Sequence, residues 1–408
     1  MNIILVTDAY PPEIRSSSHL MYEMAHELNS LNHNITVLTS WPRYNLNKSM
    51  QKSSFKELTF EDGIRVISVK TLPHHKLSFI TRGISQLIMP WQFLACLKKH
   101  STEIFHAAIV YSPPLPLYRV GASLRKKGAH FILNVQDLFP QNAIDLGILR
   151  NSILISIFRT IERTAYKHAD QILLHSENNQ NYIKKSHPKI SAKCNVLHNW
   201  VDTEIYNIPH SNNYRIKYGL KNKFIIGFAG VMGPSQQLNL ILDAAKELQH
   251  IKDLVFLFVG DGGELNNLKR ISHDQGLSNV HFQQFVDRDE YPELLKNFDV
   301  GLVCLSPKNH TPVVPGKLLT YMAAGIPVLA VLHRESDGNS IVQNAKCGIA
   351  VPSDNPEEIK DAIERLLNSR DKLLNWGRNG TNYVSANFEK RSVMLKLTSD
   401  LKRHTNQL

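Results

Sequence analysis

Long apolar runs are missing from this chain: nowhere in its 408 residues do about 18 uncharged apolar residues follow one another, so no transmembrane helix is expected. The apolar start Ile3–Val6 is too short, and lacks the basic flank, for a secretory signal, and a cytoplasmic protein is expected. Cysteine is scarce too. The four residues Cys96, Cys194, Cys304 and Cys347 form no Cys-x-x-Cys pair, and Cys304 stands inside the apolar run Val300–Leu305, which points to reduced core thiols rather than disulfides. Acidic residues are outnumbered, 36 against 47 basic ones, and the net charge of +11 implies attraction to polyanions without distinguishing nucleic acid, anionic lipid or nucleotide. No internal repeat or low-complexity tract is visible. Histidines are plentiful at 19, but neighbours such as His74 and His75 have no helical i, i+4 partner or nearby cysteine pair, so no metal is expected.

What remains is a globular chain, 42% hydrophobic and 20% charged, too long for one typical core. Strand-like and helix-like runs alternate, which argues for parallel-sheet α/β domains. Strands are expected at 3–6, 35–38, 64–69, 109–111, 131–135 and 172–174, with helices at 18–31, 115–127 and 152–168. A polar stretch at 207–213 precedes a new series, 224–229, 254–259, 280–282, 300–305 and 326–331. The segment 72–100 is unusually apolar and flanked by Arg82, Lys98 and Lys99. Its Phe79, Leu87, Ile88, Trp91 and Phe93 suit either a helix dipping into lipid headgroups or an ordinary core-facing helix.

Ligands of open α/β sheets bind beyond the carboxyl ends of the strands, so the loops there carry the candidate chemistry. Val314-Pro-Gly-Lys-Leu-Leu-Thr-Tyr-Met-Ala-Ala-Gly325 reads as a loop and a helix with Pro315 first and Lys317 in the opening turn. Free N–H groups at that terminus and the lysine favour an anion such as a diphosphate. The glycine-containing loop Gly230–Gln237 follows a strand and allows backbone to approach phosphate. Val259-Gly-Asp-Gly-Gly263 reads as a tight turn. In the first half, Gln136 and Asp137 follow a strand; Asp137 either orients a hydroxyl or caps the turn. Glu13 lies in Pro11-Pro-Glu13, and Ser16, Ser17 and Ser18 either donate hydrogen bonds or cap the next helix. Asp287-Arg-Asp289 has the look of a metal-binding pair, but it precedes a helix pattern and capping is the expected role.

Taken in order, these motifs resemble the family 4 nucleotide-sugar glycosyltransferases. Ser112–Pro116, Val135–Pro140 and His198–Asp202 resemble a bacterial surface-polysaccharide branch similar to N-acetyl-L-fucosaminyltransferases. The resemblance implies an α/β GT-B fold of two Rossmann-like domains with an interdomain cleft. Residues 1–208 would take the acceptor and 209–385 the nucleotide sugar, with a helix at about 386–408 returning to the first domain. It also implies a retaining, metal-independent transferase without cofactor, acting on a UDP-sugar and a polyprenyl-diphosphate-linked saccharide at the cytoplasmic face of the membrane, and no nucleic acid partner. Lys317, Asp137 and Gln136 would be catalytic. Glu13, Ser16, Ser17, Gly230, Met232, Gly233, Gln236, Thr311, Val314, Pro315, Gly316, Leu318, Thr320 and Tyr321 would contact substrate.

The chain departs from the family at informative places. Val231 and Gln236 stand where a basic residue and a lysine are usual, and the family's glutamate pair falls on Pro312 and Thr320. Sugar hydroxyls would then be met by Thr311, Thr320, Tyr321 or backbone at 310–314. Gln136 replaces a histidine that touches the donor's C6 hydroxyl in many relatives, which implies a 6-deoxy-N-acetylamino sugar such as N-acetylfucosamine. Two other readings stand beside the transferase: a non-transferring enzyme of the same fold such as a UDP-sugar 2-epimerase, and a basic scaffold protein.

Overall fold

The alternating signals become two parallel sheets, each covered on its faces by the helices between its strands. The computed structural model describes residues 1–43, 46, 55–73, 79–209 and 213–405, without the side chains of Phe79, Ile80, Arg82 and Thr405. His74, His75 and the side chains of Phe79 and Arg82 thus lie outside the described part. Contacts divide the chain into Met1–Gln141, Leu149–His198 and Arg391–Leu408 as one unit, and Asn142–Ile148 with Asn199–Lys390 as the other.

The first unit contains β1 (Asn2–Val6), β2 (Asn34–Ser40), β3 (Leu58–Glu61), β4 (Ile64–Val69), β5 (Ala107–Ser112), β6 (His130–Val135), β7 (Gln171–Leu174) and β8 (Cys194–Val196). They lie in the order β3-β4-β2-β1-β5-β6-β7-β8. All neighbours are parallel except β3, which runs antiparallel to β4 along the edge. Strand order reverses between β1 and β5, the switch point at which such sheets open a crevice. The helix Ser152–His168 starts where Asn151 Oδ1 accepts the N–H groups of Ile153 and Leu154 at 3.0 and 3.1 Å. Instead of one helix over 115–127, a single turn at Leu115–Leu117 leads into the helix Tyr118–Arg125.

The helix Phe79–His100 sorts its apolar residues by face. Met89, Phe93 and Leu97, spaced at i and i+4, are buried in the core. Ile84, Ile88 and Trp91 stand on another face, with Trp91 55% exposed and the Arg119 guanidinium 5.0 Å from its ring centroid. Of the two readings open for this segment, Phe93 follows the core-facing one: it is fully buried.

The second unit contains β9 (Phe224–Ala229), β10 (Leu254–Val259), β11 (Val280–Gln283), β12 (Val300–Cys304), β13 (Val328–Leu332) and β14 (Gly348–Pro352). All are parallel, in the order β11-β10-β9-β12-β13-β14, with the reversal between β9 and β12. β9, β10, β12 and β13 are buried at every residue, as their unbroken apolar runs require of strands covered on both faces. β13 starts at Val328 rather than 326, because Pro327 has no N–H to give and offers only its carbonyl, to the Gly301 N–H at 2.8 Å. Val201 and Glu389 form a parallel bridge, and Lys390 Nζ reaches Asp202 at 2.7 Å, so the two ends of the long second-unit segment lie together.

Candidate functional site

In the second unit the site is assembled at the carboxyl end of β9. Gly230 follows that strand with φ +136°, a conformation open to glycine, and its N–H is held by the Val259 carbonyl at 2.8 Å. The missing side chain is the important feature: a Cβ there would stand 2.8 Å from Lys317 Cε and 3.0 Å from Nζ. Lys317 therefore lies across the bare backbone of Gly230, with its ammonium 4.8 Å from the centroid of the Phe228 ring. It belongs to the helix Gly316–Ala323, whose N-cap is Pro315; no side chain caps that end. Pro315 thus stands one place before the expected first helical position, and Lys317 occupies the second residue of the helix. Although Lys317 is only partly buried, desolvation by the surrounding protein lowers its pKa to about 8.

The loop from Gly230 to Gln237 is closed upon itself. Gln236 Oε1 accepts the Gly233 N–H at 3.0 Å, so this side chain shapes the loop in place of carrying charge. Met232 is fully buried, with its N–H bonded to the Asp261 carbonyl and its carbonyl to the Glu264 N–H. The Gly-Asp-Gly-Gly turn braces this loop: a Cβ on Gly262 would lie 2.2 Å from the Met232 oxygen. Gln237 is left-handed at φ +44°, and Ser306 Oγ donates to its Oε1 at 2.5 Å, tying the loop to the end of β12.

Several residues expected at the donor turn inward. Tyr321 is fully buried, and its hydroxyl accepts the Ala229 N–H at 3.1 Å. Tyr321, expected at the donor, thus serves the core in this structure. Leu318 and Val314 also belong to the core. Thr311 is buried, with its Oγ1 donating to Asn309 Oδ1 at 2.9 Å. Thr320 is partly exposed and donates back to the Gly316 carbonyl at 3.1 Å, which leaves its oxygen able to accept. In the preceding loop, the His310 N–H donates to Asp145 Oδ2 at 3.0 Å and the Val313 carbonyl accepts from Ser336 Oγ at 2.9 Å. Of the residues around the site, Gly316 and Val231 are exposed, and Lys317 and Gly230 are partly exposed.

In the first unit the loops after β1, β5 and β6 gather charge that the sequence reading passed over. Asp8 is buried, and Arg15 Nη1 lies 3.2 Å from its Oδ2 and 3.7 Å from Glu13 Oε2. The Arg43 N–H donates to Glu13 Oε1 at 2.7 Å. Glu13, expected to face the acceptor, is thus buried and held by two arginines. Arg15 is the N-cap of the helix Ser16–Ser30, so the serines lie within its first turn and do not cap it. Ser16 is exposed, whereas Ser17 is buried and bonds the Tyr111 hydroxyl. Gln136 donates through Nε2 to Asn134 Oδ1 at 2.9 Å. Asp137 is exposed at its surface, but crowding by protein holds its carboxyl above the ordinary range. Burial, with Asp137 and Asp8 nearby, pushes the Tyr111 phenol well up. Asp8 and Arg15 were within reach of sequence reasoning as charged residues beyond a strand at the switch point; Tyr111 and Phe228 carried no signal apart from core aromatics.

The Asp287–Asp289 pair is exposed and sits on the single turn Arg288–Glu290, with Asp287 at its N-cap position but making no side-chain cap.

These two crevices, on two Rossmann-ordered sheets, agree with what known proteins show. Residues 18–205 match the family described as Glycosyltransferase Family 4, and residues 211–383 match Glycosyl transferases group 1. The chain belongs to these glycosyltransferases. It is 23% identical over 297 residues to the probable glycosyltransferase WbjE of Pseudomonas aeruginosa, covering 72% of this chain and 73% of that protein. To the putative colanic acid biosynthesis glycosyl transferase WcaI of Escherichia coli it is 25% identical over 288 residues, covering 67% and 68%. Sucrose-phosphate synthase from Thermosynechococcus elongatus superposes with a TM-score of 0.79 at 14% identity, each chain covered fully. Anabaena Alr3699/HepE in complex with UDP superposes at 0.71 and 15% identity, covering 99% and 100%. The fold of this glycosyltransferase is therefore GT-B.

The inward turn of Tyr321 has a measurable consequence. Tyr321→Phe leaves the Ala229 N–H without its buried acceptor and is expected to lower stability by about 1–3 kcal/mol in chemical denaturation. Nucleotide affinity, read by calorimetry, is expected to stay within about twofold, below the ~1.4 kcal/mol of a tenfold change. A large loss of affinity at unchanged stability would return Tyr321 to the donor.

Proposed function

We propose that this glycosyltransferase moves a 6-deoxy-N-acetylamino sugar, such as N-acetylfucosamine, from a UDP donor to a polyprenyl-diphosphate-linked saccharide. The setting is O-antigen or capsule assembly at the inner face of the cell membrane. The observation that carries the reading is the Lys317 ammonium laid over Gly230 and Phe228 at an uncapped helix start. It is a cation with a free helix terminus beside it, suited to a diphosphate. UDP bound to Alr3699/HepE and UDP-2-fluoro glucose bound to the Escherichia coli trehalose-6-phosphate enzyme support a uridine nucleotide. The colanic acid role in the name of WcaI supports a surface polysaccharide.

The bond from C1 to the diphosphate oxygen breaks as the acceptor oxygen bonds C1 on the same face, so configuration is retained. The acceptor's proton passes to the departing diphosphate, and Lys317 stabilises the charge that develops there without a metal. Incubating the chain with UDP-sugars and GDP-mannose, with and without the lipid-linked acceptor and in EDTA, tests the reading. Glycosylated lipid formed from a UDP-sugar in EDTA supports it; an epimerised donor formed without acceptor would replace it by the epimerase.

Lys317→Ala is expected to lower turnover roughly 100-fold or more, the scale of a lost transition-state partner. Its pKa near 8 adds a pH signature. Above that pH the free protein has lost the proton, while a bound diphosphate holds it on. UDP binding should take up a proton and weaken as pH rises through 8, which calorimetry in buffers of different ionisation enthalpy measures. Absence of proton uptake above that pH would remove the ammonium from the nucleotide.

Gln136, a neutral amide bonded to Asn134, supports a donor without a C6 hydroxyl. A pocket lined for a methyl group leaves that hydroxyl unpaired at a cost of about 1–3 kcal/mol. Specificity constants for a UDP-6-deoxy-HexNAc should accordingly exceed those for the matched UDP-HexNAc, with Gln136→His shifting the balance back. Equal constants in the unmodified enzyme would end this assignment.

No described helix is long and apolar enough to cross a membrane. The exposed stripe Ile84, Ile88 and Trp91, with Arg119 on Trp91 and Lys98 and Lys99 at the helix end, supports peripheral attachment. Vesicles rich in anionic lipid should bind the chain and release it as salt rises, and Ile88→Ser with Trp91→Ser should weaken that binding without affecting UDP. Binding that survives both substitutions would move the contact elsewhere.

A further inference from the structure

Cys96 and His100 stand one turn apart on the helix Phe79–His100, and Glu57, just before β3, reaches the same place. Cys96 Sγ, a His100 ring nitrogen and a Glu57 carboxylate oxygen all lie within 4.8 Å of one another. His100 Nε2 is already 3.0 Å from Glu57 Oε2. Tetrahedral zinc, bound at about 2.0–2.3 Å, places its ligand atoms roughly 3.3–3.8 Å apart, so closing the triad onto an ion needs rotamer adjustments of about an ångström. All three residues are partly exposed, which gives an ion a way in and water a fourth position. A thiol, an imidazole and a carboxylate together are a zinc ligand set; calcium and magnesium take oxygen alone.

We propose that Glu57, Cys96 and His100 form a zinc site completed by water, remote in role from the sugar chemistry and independent of it. Lys99 Nζ holds Glu57 Oε2 at 2.6 Å without the ion. Lys99 is 64% exposed and swings into solvent when the carboxylate turns to the metal. The Cys96 thiol proton leaves to solvent on binding, and His100 coordinates as neutral imidazole. The Glu57 carbonyl accepts the Ser68 N–H at 2.8 Å. The ion would therefore clamp the antiparallel β3–β4 edge to the end of the helix that carries the exposed Ile84, Ile88 and Trp91 stripe.

The test uses the full chain, reduced and stripped with EDTA, titrated with Co²⁺ and then Zn²⁺. One equivalent of cobalt should give a thiolate-to-metal charge-transfer band that zinc abolishes, and zinc should raise the melting temperature as a ligand of the native state does. Cys96→Ser should lose the band and bind zinc about tenfold or more weakly, since even supporting groups of metal sites cost that much. Glu57→Gln should keep the band while weakening affinity, and Lys99→Ala, which frees the carboxylate, should tighten it. Circular dichroism in EDTA confirms that each variant is folded. No thiolate band, or zinc affinity unchanged in both Cys96→Ser and Glu57→Gln, would assign any binding to scattered histidines and overturn the site.

Discussion

A lysine ammonium kept short of its full hydration is costly, and the second unit is arranged around holding one in that state. Lys317 is placed by three independent features: the helix start at Pro315, the Phe228 ring below it and the absent side chain of Gly230. A side chain at 230 would push the end of the lysine aside and would also have to adopt φ +136°, which L residues rarely do. Desolvation lowers the pKa to about 8, so the group is poised between charge and neutrality until an anion arrives to fix the proton. In the proposed function the diphosphate supplies the countercharge that the protein leaves out.

Positioning that lysine requires that the loop beneath it not move, and the packing meets this demand with backbone against backbone. Gly260 and Gly262 approach the carbonyls of Gly230 and Met232 so closely that a Cβ would stand 2.0 and 2.2 Å from them. On the opposite side Tyr321 fastens Ala229, and Ser306 fastens Gln237. Residues that a family motif marks as substrate contacts, Met232, Leu318 and Tyr321, are in this chain the rigid support for the few groups that face outward.

The fold was legible where the sequence pattern and burial coincide. Runs such as Leu254–Val259 and Val300–Cys304 could only be strands buried on both faces, and they are. Elements without that coincidence were missed. β3 is an edge strand of four residues with Phe60 and Glu61 turned out, and β8 has three residues. The helix Pro356–Leu367 carried readable signals that were not used, Asn355 as N-cap and Pro356 in the first turn. The site was less legible than the fold. Lys317 and Gly230 were singled out because a helix start and a glycine after a strand each imply backbone exposure, and the structure brings the two together. Direction of the side chain is not encoded in a motif, which is why nothing in the sequence showed that Glu13, Thr311 and Tyr321 are buried. Arg15 was passed over because its significance rests on Asp8, seven positions away, and on the fold that brings them together.

The two crevices differ in how their charges are balanced. Around β1 the Arg15 guanidinium is answered by two buried carboxylates, Asp8 and Glu13, so no net positive charge is left for an anion. What that crevice adds is Asp137, a carboxyl held above its ordinary range, together with the Gln136 amide. Such groups suit hydroxyls, which both donate and accept and bring no charge to neutralise. Lys317 has Phe228 beneath it instead of a carboxylate, and an aromatic face orients a cation without cancelling its charge. A single fold repeated twice thus carries one crevice whose cation is balanced by carboxylates and one whose cation is not, and the proposed division between sugar hydroxyls and diphosphate rests on that difference.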